Sequence, residues 1–534
     1  SQFTVHSSQF TVHSSQFTDN IFISERGRMS AKDIGKKAKL GVFYNTIAKL
    51  IATFGQFFSV IILARLLHPE EYGIVTAGML VIGAVTKFGE FGFHNGLVQR
   101  KEKVTEKHIN TLFLMDFGFK IIIWVAVYFS SAWFASFLNV PELTTALPIL
   151  SAFMLLECFA TTPKAVLRRK MDFKSTSIIN TTDKYVSIVS SITLAYLGFG
   201  YWSLIYCKIL SQFVAAVMAI HKTKWFPKPV FDFKACKDLF HFGVMVSVRN
   251  LFKYGSDKID RFFITKFLGP GPVAIYEKAF ELMRMPQKEI TRSVNRVVFS
   301  AFSRIQDEPE RIRRAFRKLL LTVSLLSFPM LFGMAYVAPQ FVPLVLGDKW
   351  IGMVFPLQIM CVAGILRSTD PFLNSLLTAT GFVKSTVSRR AIEFALIAVA
   401  TWFGVKHGIE GVAVAITGAA LVVTFLMVQI ITKVTNIGWA DYLGPQAPAL
   451  LTSALMLAII HIFTFSMNGV LDPAGFAMLI LQCVVGMLSY VGLHFIFRFK
   501  IVTELIEELM GDSKSGLAKI RSKLGFGKKK ASVA

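Results

Sequence analysis

Apolar runs of about twenty residues, the length that crosses a bilayer as a helix, alternate along this chain with short polar connections. The pattern predicts fourteen spans: Asn45–Leu67, Tyr72–Phe93, Thr111–Phe137, Thr145–Val166, Thr176–Leu197, Tyr201–Ile220, Leu239–Phe267, Val273–Ala301, Leu319–Val337, Ile351–Thr378, Thr386–Val405, Ile409–Val434, Ala447–Ser466 and Ala474–Phe497. Two of them, the seventh and eighth, break the rule that the others obey. Between Val246 and Arg296 the chain carries Arg249, Lys253, Asp257, Lys258, Asp260 and Arg261, then Glu277, Lys278, Glu281, Arg284, Lys288, Glu289 and Arg292. At about 100° per residue, Arg249, Lys253, Asp257 and Asp260 share an arc of roughly 80°, as do Glu277, Glu281, Arg284, Lys288 and Arg292. A charge at the centre of a lone membrane helix costs about 2.5–3.5 kcal/mol, so nine facing lipid would cost on the order of 25 kcal/mol. They must face water, one another or an anion. The expectation is a hydrated, cation-rich cavity walled by these helices; a soluble excursion, or ion pairing without a ligand, is the alternative.

The connections give an orientation. Those after even-numbered spans carry clusters such as Arg100, Lys101, Lys103 and Lys107, or Arg168, Arg169, Lys170 and Lys174, whereas Asn139–Thr144, Gly198–Gly200 and Met467–Pro473 after odd-numbered spans hold no Lys or Arg. The positive-inside tendency then places both termini in the cytoplasm. Ala64–Pro69 after the first span resembles Thr265–Pro270 after the seventh, which favours two six-helix lobes related by an axis along the membrane normal. The expected organisation is a basic N-terminus over 1–40, an N-lobe over 41–222, a cytoplasmic linker over 223–237, a C-lobe over 238–435, an appended helix pair over 436–498, and an amphipathic, basic tail over 499–534 that suits anionic lipid headgroups.

Composition settles the class. Of 534 residues 53% are hydrophobic and 17% charged, and the mean hydropathy is +0.54, the balance of a multi-span, all-α membrane protein. The net charge of +25 sits in short clusters between apolar runs, so topology explains it better than nucleic acid does. Cys158, Cys207, Cys236, Cys361 and Cys483 show no CxxC spacing, which supports neither a disulfide framework nor a zinc site. The repeated SQFTVHS at Ser1 and Ser8 is low-complexity sequence without the layout of a signal peptide. No GxxxxGK[ST] phosphate loop occurs, so no ATP-driven pump is expected from this chain alone.

Several stretches carry a family likeness: LARLLHPEEYG at Leu63–Gly73, FGEFGF at Phe88–Phe93, LRRKMDFK at Leu167–Lys174, FLGPGPVAIYEKAFELMRMP at Phe267–Pro286, and VNRVVFSAFSRIQDEPERIRR at Val294–Arg314. On these the chain resembles the polysaccharide transporter branch of the MOP superfamily, the Wzx-type flippases of lipid-linked oligosaccharides, and within it the subgroup of the colanic acid exporter. Ser300 before Ala301 departs from the usual Pro of the family. The resemblance implies an alternating-access flippase of the bacterial inner membrane, without cofactor or metal and not an enzyme, that moves undecaprenyl-pyrophosphate-linked repeat units outward for exopolysaccharide, capsule or O-antigen assembly.

For such a substrate the candidate pyrophosphate contacts are Arg249, Lys253, Arg284, Lys288 and Arg292, since Arg offers forked donors and Lys a point charge. Candidate sugar contacts are Asn250, Tyr254 and Tyr276, and candidate coupling-ion or charge-balancing groups are Glu90, Asp257, Asp260, Glu277 and Glu281, with Pro286 as a candidate hinge or static kink. Asp116 with Lys120 reads as a structural ion pair, with Glu157, Lys208 and Glu393 acting similarly. Expected partners are the lipid-linked oligosaccharide, membrane lipids, an H+ or Na+ counter-ion, and polysaccharide polymerase and export machinery, with no nucleic acid. The competing readings are a MATE-like cation-coupled antiporter and a membrane glycosyltransferase or polymerase.

Overall fold

The computed structural model describes residues 55–89, 105–232, 253–305, 308–379, 383–435, 437–467 and 474–497, with isolated positions between and beyond the last two segments. Among the described residues the expected spans fall largely on helix, and no strand occurs. The helices are α1 (Gly55–Leu66), α2 (Pro69–Gly89), α3 (Glu106–Leu138), α4 (Leu143–Ser151), α5 (Phe153–Arg169), α6 (Phe173–Tyr196), α7 (Trp202–Thr223), α8 (253–268), α9 (Pro270–Arg304), α10 (Pro309–Phe341), α11 (Val354–Arg367), α12 (Asp370–Ala379), α13 (Val383–Gly404), α14 (Gly408–Thr435), α15 (Trp439–Leu443), α16 (Ala447–Ser466) and α17 (Phe476–Phe497). Eight helical segments within the described residues are long and apolar enough to cross a membrane, and the chain is a multi-pass membrane protein. One of the eight, Ala391–Lys433, joins two helices that fold back on each other. Gly408 turns the chain at a φ of 72°. A Cβ on Gly404 would meet the Gly411 carbonyl at 2.8 Å, and one on Gly411 the Gly404 carbonyl at 2.5 Å. Only glycine allows this main-chain approach.

The chain divides into two compact units: residues up to 258 with 265–274, and residues 259–264 with 275 onward. In the first unit α2 begins with Pro69, Glu70 and Glu71 and ends near Lys87, the order that suits the orphan donors and dipole of a helix start. Along α3, Ile122, Val125, Phe129 and Trp133 are exposed while Ile123, Val127, Ser131 and Ala135 are buried, the two-faced pattern of a helix at a bilayer boundary. Asn139 ends α3 in the left-handed region at φ 58°, a cap that Asn tolerates. Small side chains at Ala160, Ala215, Ala216 and Ala219 bring α5 and α7 close. The segment after α7 is strapped to the start of α3: Trp225 is buried against Phe113, Lys228 pairs with Glu106 at 2.8 Å, and the amides of Lys228 and Asp232 donate to Asn110 and Thr111.

The second unit centres on Phe302, Phe316, Phe372, Met427 and Tyr442. The helix pair α16 and α17 belongs to this unit. Tyr490 of α17 donates to the Leu325 carbonyl of α10 at 2.9 Å, and Tyr336 of α10 lies 3.3 Å from His461 of α16. Two expected spans are broken within their length. The fourth divides at Ala152, four residues after Pro148, whose carbonyl accepts from Trp124 Nε1 at 3.1 Å. The tenth divides at Ser368–Thr369 between α11 and α12, and Thr369 Oγ1 lies 2.9 Å from the Tyr442 hydroxyl.

Candidate functional site

Helices α8 and α9 form a hairpin about Gly269, which has a φ of 90°. Residues equidistant from such a turn face one another, and this brings Asp260 and Arg261 against Tyr276 and Glu277. Arg261 is 2% exposed, an extreme for a guanidinium. Its Nη1 donates to both Asp260 carboxylate oxygens at 2.6 and 2.8 Å, and its Nε donates to Glu277 Oε2 at 2.7 Å. The Tyr276 hydroxyl donates to Asp260 Oδ2 at 2.8 Å. The guanidinium lies 3.9 Å from the centroid of the Phe280 ring, within the range of a cation–π contact, and Arg284 lies 5.3 Å from the same centroid. Burial of one cation here is balanced by two carboxylates that use separate donors of the fork.

Beyond this cluster α9 changes character. Lys278 pairs with Glu281 at 3.6 Å, so the two carboxylates of this stretch, Glu277 and Glu281, both have cationic partners. Arg284 and Lys288 are exposed one turn apart. Pro286 is buried in a helix that runs on without a break to Arg304, and next to it Gln287 Nε2 donates to the Gly364 carbonyl of α11 at 2.5 Å. In the same unit Arg367, the last residue of α11, pairs with Glu393 of α13 at 3.5 Å.

The structure sorts the residues expected at the site. Arg284 and Lys288 are exposed on one stretch of α9, and Lys253 and Asp257 are exposed on α8. Asp260, Glu277 and Glu281 each balance a neighbouring cation. Tyr276, expected at a sugar, is fully buried with its hydroxyl committed to Asp260, and it presents no face to a ligand in this structure. Tyr254 is half-buried, and its hydroxyl donates to the Leu80 carbonyl of α2 at 3.0 Å. Asp260, expected on an exposed arc with Lys253 and Asp257, is instead buried, because the facing Tyr276 and the adjacent Arg261 provide its partners. Arg249, Asn250 and Glu90 lie outside the described residues, as does the side chain of Arg292 on α9. Sequence reasoning gave Arg261 no role. The signal was the adjacent Asp260–Arg261 pair, mirrored across the Gly269–Pro270 turn by Tyr276–Glu277.

The polysaccharide biosynthesis protein family matches residues 62–355 of this chain. Among known proteins, the lipopolysaccharide biosynthesis protein WzxC of Escherichia coli K12 is 26% identical over 75% of this chain and 80% of its own length. The succinoglycan biosynthesis transport protein ExoT of Rhizobium meliloti is also 26% identical, over 85% of this chain and 92% of its own. Among solved structures, the lipid II flippase MurJ in an inward closed conformation superposes with a TM-score of 0.70 at 15% identity, covering 86% of this chain and 99% of that one. An inward-facing MATE transporter of the MOP superfamily gives 0.58 at 15% identity, covering 77% and 98%. The fold of these transporters is shared, and the chain belongs to the polysaccharide biosynthesis protein family.

Proposed function

We propose that this protein flips a lipid-linked oligosaccharide across a bacterial inner membrane, from the cytoplasmic to the outer leaflet, by alternating access. It does so with fourteen crossings in two six-helix lobes plus an appended pair, both termini being cytoplasmic. The observation that carries the reading is on α9: Arg284 and Lys288 are both exposed, one turn apart, in an expected span. Exposed Arg and Lys in such a helix suit an anion, and a pyrophosphate headgroup supplies one. The names of WzxC and ExoT, a lipopolysaccharide biosynthesis protein and a succinoglycan transport protein, and the lipid II flippase among the fold relatives support a sugar-lipid substrate over a small drug. Arg249, Lys253 and Arg292 complete the proposed pyrophosphate set, Asn250 and Tyr254 the proposed sugar contacts, and undecaprenyl pyrophosphate the proposed carrier. The polyprenyl tail stays in lipid, which spares the protein from burying it. Outward movement of an anion across an inside-negative membrane releases about 2.3 kcal/mol per charge per 100 mV, so the potential itself favours export.

The test is a chromosomal deletion complemented with wild type or with Arg249→Ala, Lys253→Ala, Arg284→Ala or Lys288→Ala. Loss of surface polysaccharide with lipid-linked precursor retained on the inner leaflet supports the assignment. Normal export by all four variants overturns it.

A further inference from the structure

The second unit gathers a basic cluster around one buried acid. The opening turns of α10 carry Arg311, Arg313, Arg314, Arg317 and Lys318, and Arg313 and Arg317, four residues apart, share a face. Opposite that face stands Asp441 of α15, whose side chain is 4% exposed. Arg313 Nε donates to Asp441 Oδ2 at 2.8 Å, Arg317 Nε lies 3.9 Å from Oδ1, and the Gly438 amide donates to Oδ2 at 3.3 Å. The carboxylate is fixed by three groups and in turn fixes two guanidiniums. Both of its arginine contacts use Nε. Among the described residues the Nη groups of the two forks make no hydrogen bond, and the two side chains are 43% and 44% exposed.

Charge at this end of α10 is unbalanced. Residues 304–318 hold six cations and three acids, and Asp441 is a fourth acid, which leaves two positive charges in excess. Lys433, exposed in the last turn of α14, adds another. That turn packs here, since Val428 and Ile431 share a buried core with Ile312, Phe316 and Tyr442. Beside it the Trp439 ring lies 5.4 Å from that of Phe425, and Leu421, Val422, Phe425 and Leu443 are exposed. A Trp at the end of an exposed apolar helix face sits at the headgroup level of a bilayer, so the two forks and a surface for acyl chains occur at the same junction. A run of Arg and Lys that only sets topology needs no acid buried in its midst.

We propose that Arg313 and Arg317, aimed by Asp441, bind the headgroup phosphate of an anionic phospholipid whose acyl chains lie along the exposed face of α14 and α15. A guanidinium fork suits the paired oxygens of a phosphate. The excess positive charge disfavours a headgroup that carries its own ammonium, so phosphatidylglycerol is preferred to phosphatidylethanolamine. The site shares no residue with the proposed pyrophosphate contacts on α8 and α9, and it does not rest on the flippase reading.

The test is native mass spectrometry of the full chain, delipidated in detergent and titrated with phosphatidylglycerol or phosphatidylethanolamine. Wild type should retain phosphatidylglycerol in preference, and Arg317→Gln should weaken its first binding step by about tenfold or more. Arg311→Gln, which removes an equal charge from the same helix at a residue paired with Glu308, should change that step by less than about threefold. Asp441→Asn separates the two accounts: it makes the cluster more positive, so a diffuse basic surface would bind phosphatidylglycerol more tightly, whereas loss of the acid that aims both forks should weaken binding. Should Asp441→Asn fail to fold, Arg317→Lys decides, because it keeps the charge, loses the fork, and should still weaken the step. Equal retention of the two lipids, equal losses in Arg317→Gln and Arg311→Gln, tighter binding by Asp441→Asn, or an unchanged Arg317→Lys overturns the site. Inorganic phosphate or undecaprenyl pyrophosphate is then added as competitor. Neither should displace phosphatidylglycerol from wild type, and displacement by either overturns the assignment to a phospholipid.

Discussion

Replacing Arg261 by leucine should be among the most damaging single changes in this protein. The side chain is 2% exposed and satisfies two acids, so its removal does not simply delete an interaction. Asp260, itself buried, would keep the Tyr276 hydroxyl as its donor, while Glu277, whose side chain is 30% exposed, can turn toward water. The cost therefore falls on one stranded carboxylate, and breaking a buried pair from one side typically costs about 3–5 kcal/mol. Removing both charges is different: Asp260→Leu with Arg261→Leu strands no buried ion and leaves the Tyr276 hydroxyl without its acceptor, a loss of about 1–3 kcal/mol. The double variant should therefore be more stable than Arg261→Leu alone, and a double-mutant cycle should return a coupling of about 2 kcal/mol or more. The exposed pair of Arg311 with Glu308 at 2.9 Å is the internal control, since a solvated pair contributes about 0–1 kcal/mol, and Glu308→Gln should change little. Detergent unfolding in mixed micelles, followed by tryptophan fluorescence, reads wild type, Asp260→Leu, Arg261→Leu, the double variant and Glu308→Gln. A loss below about 1 kcal/mol for Arg261→Leu, or a double variant less stable than the single, would refute the account of Arg261 as a balanced buried ion.

Three further outcomes follow from local geometry. Tyr276→Phe removes a hydrogen bond to a carboxylate and should cost about 1.5–3 kcal/mol in the same assay, with export retained if the ring has no sugar contact. Thr369→Val leaves the buried Tyr442 hydroxyl without its Oγ1 partner at 2.9 Å and should cost about 1–3 kcal/mol, whereas the reciprocal Tyr442→Phe in the Thr369→Val background should recover part of it. Gly408→Ala forces an alanine to φ 72° and ψ −163°, a region essentially confined to glycine, a loss of about 1–3 kcal/mol, readable as a lower midpoint with an unchanged unfolding slope.

The all-helical, multi-pass class was legible because lipid imposes a simple rule on composition, and eight segments among the described residues are long and apolar enough to cross a membrane. The expected Ala447–Ser466 coincides with α16 to the residue, where Pro448 marks the start and the apolar run ends at the Met467 turn. Breaks within spans were not legible from hydropathy, since Ser368 and Thr369 are as acceptable inside an apolar window as outside it. The local signal was nonetheless present: Ser-Thr-Asp-Pro at 368–371 is an N-terminal helix signature in the middle of an expected span. Charge was legible as charge but not as partnership. The spacing of Asp257, Asp260, Glu277 and Arg284 gave helical faces, yet whether a given face meets water or another ion depends on which helix lies opposite. That is why Tyr276 and Asp260 read as accessible and prove buried, and why Glu157 could be associated with Asp116 and Lys120 in kind but not in distance.

The close passage of Gly404 and Gly411 has a mechanical consequence. Two helices whose main chains touch without intervening side chains have no cushion to shear, so α13 and α14 should travel as a single stiff blade in any conformational cycle, carrying Glu393 and its ion pair with Arg367 along with them. Deformation in this part of the molecule must then be taken up elsewhere, and the interrupted stretch at Ser368–Thr369, between α11 and α12, is one place where the backbone has already given up helical continuity.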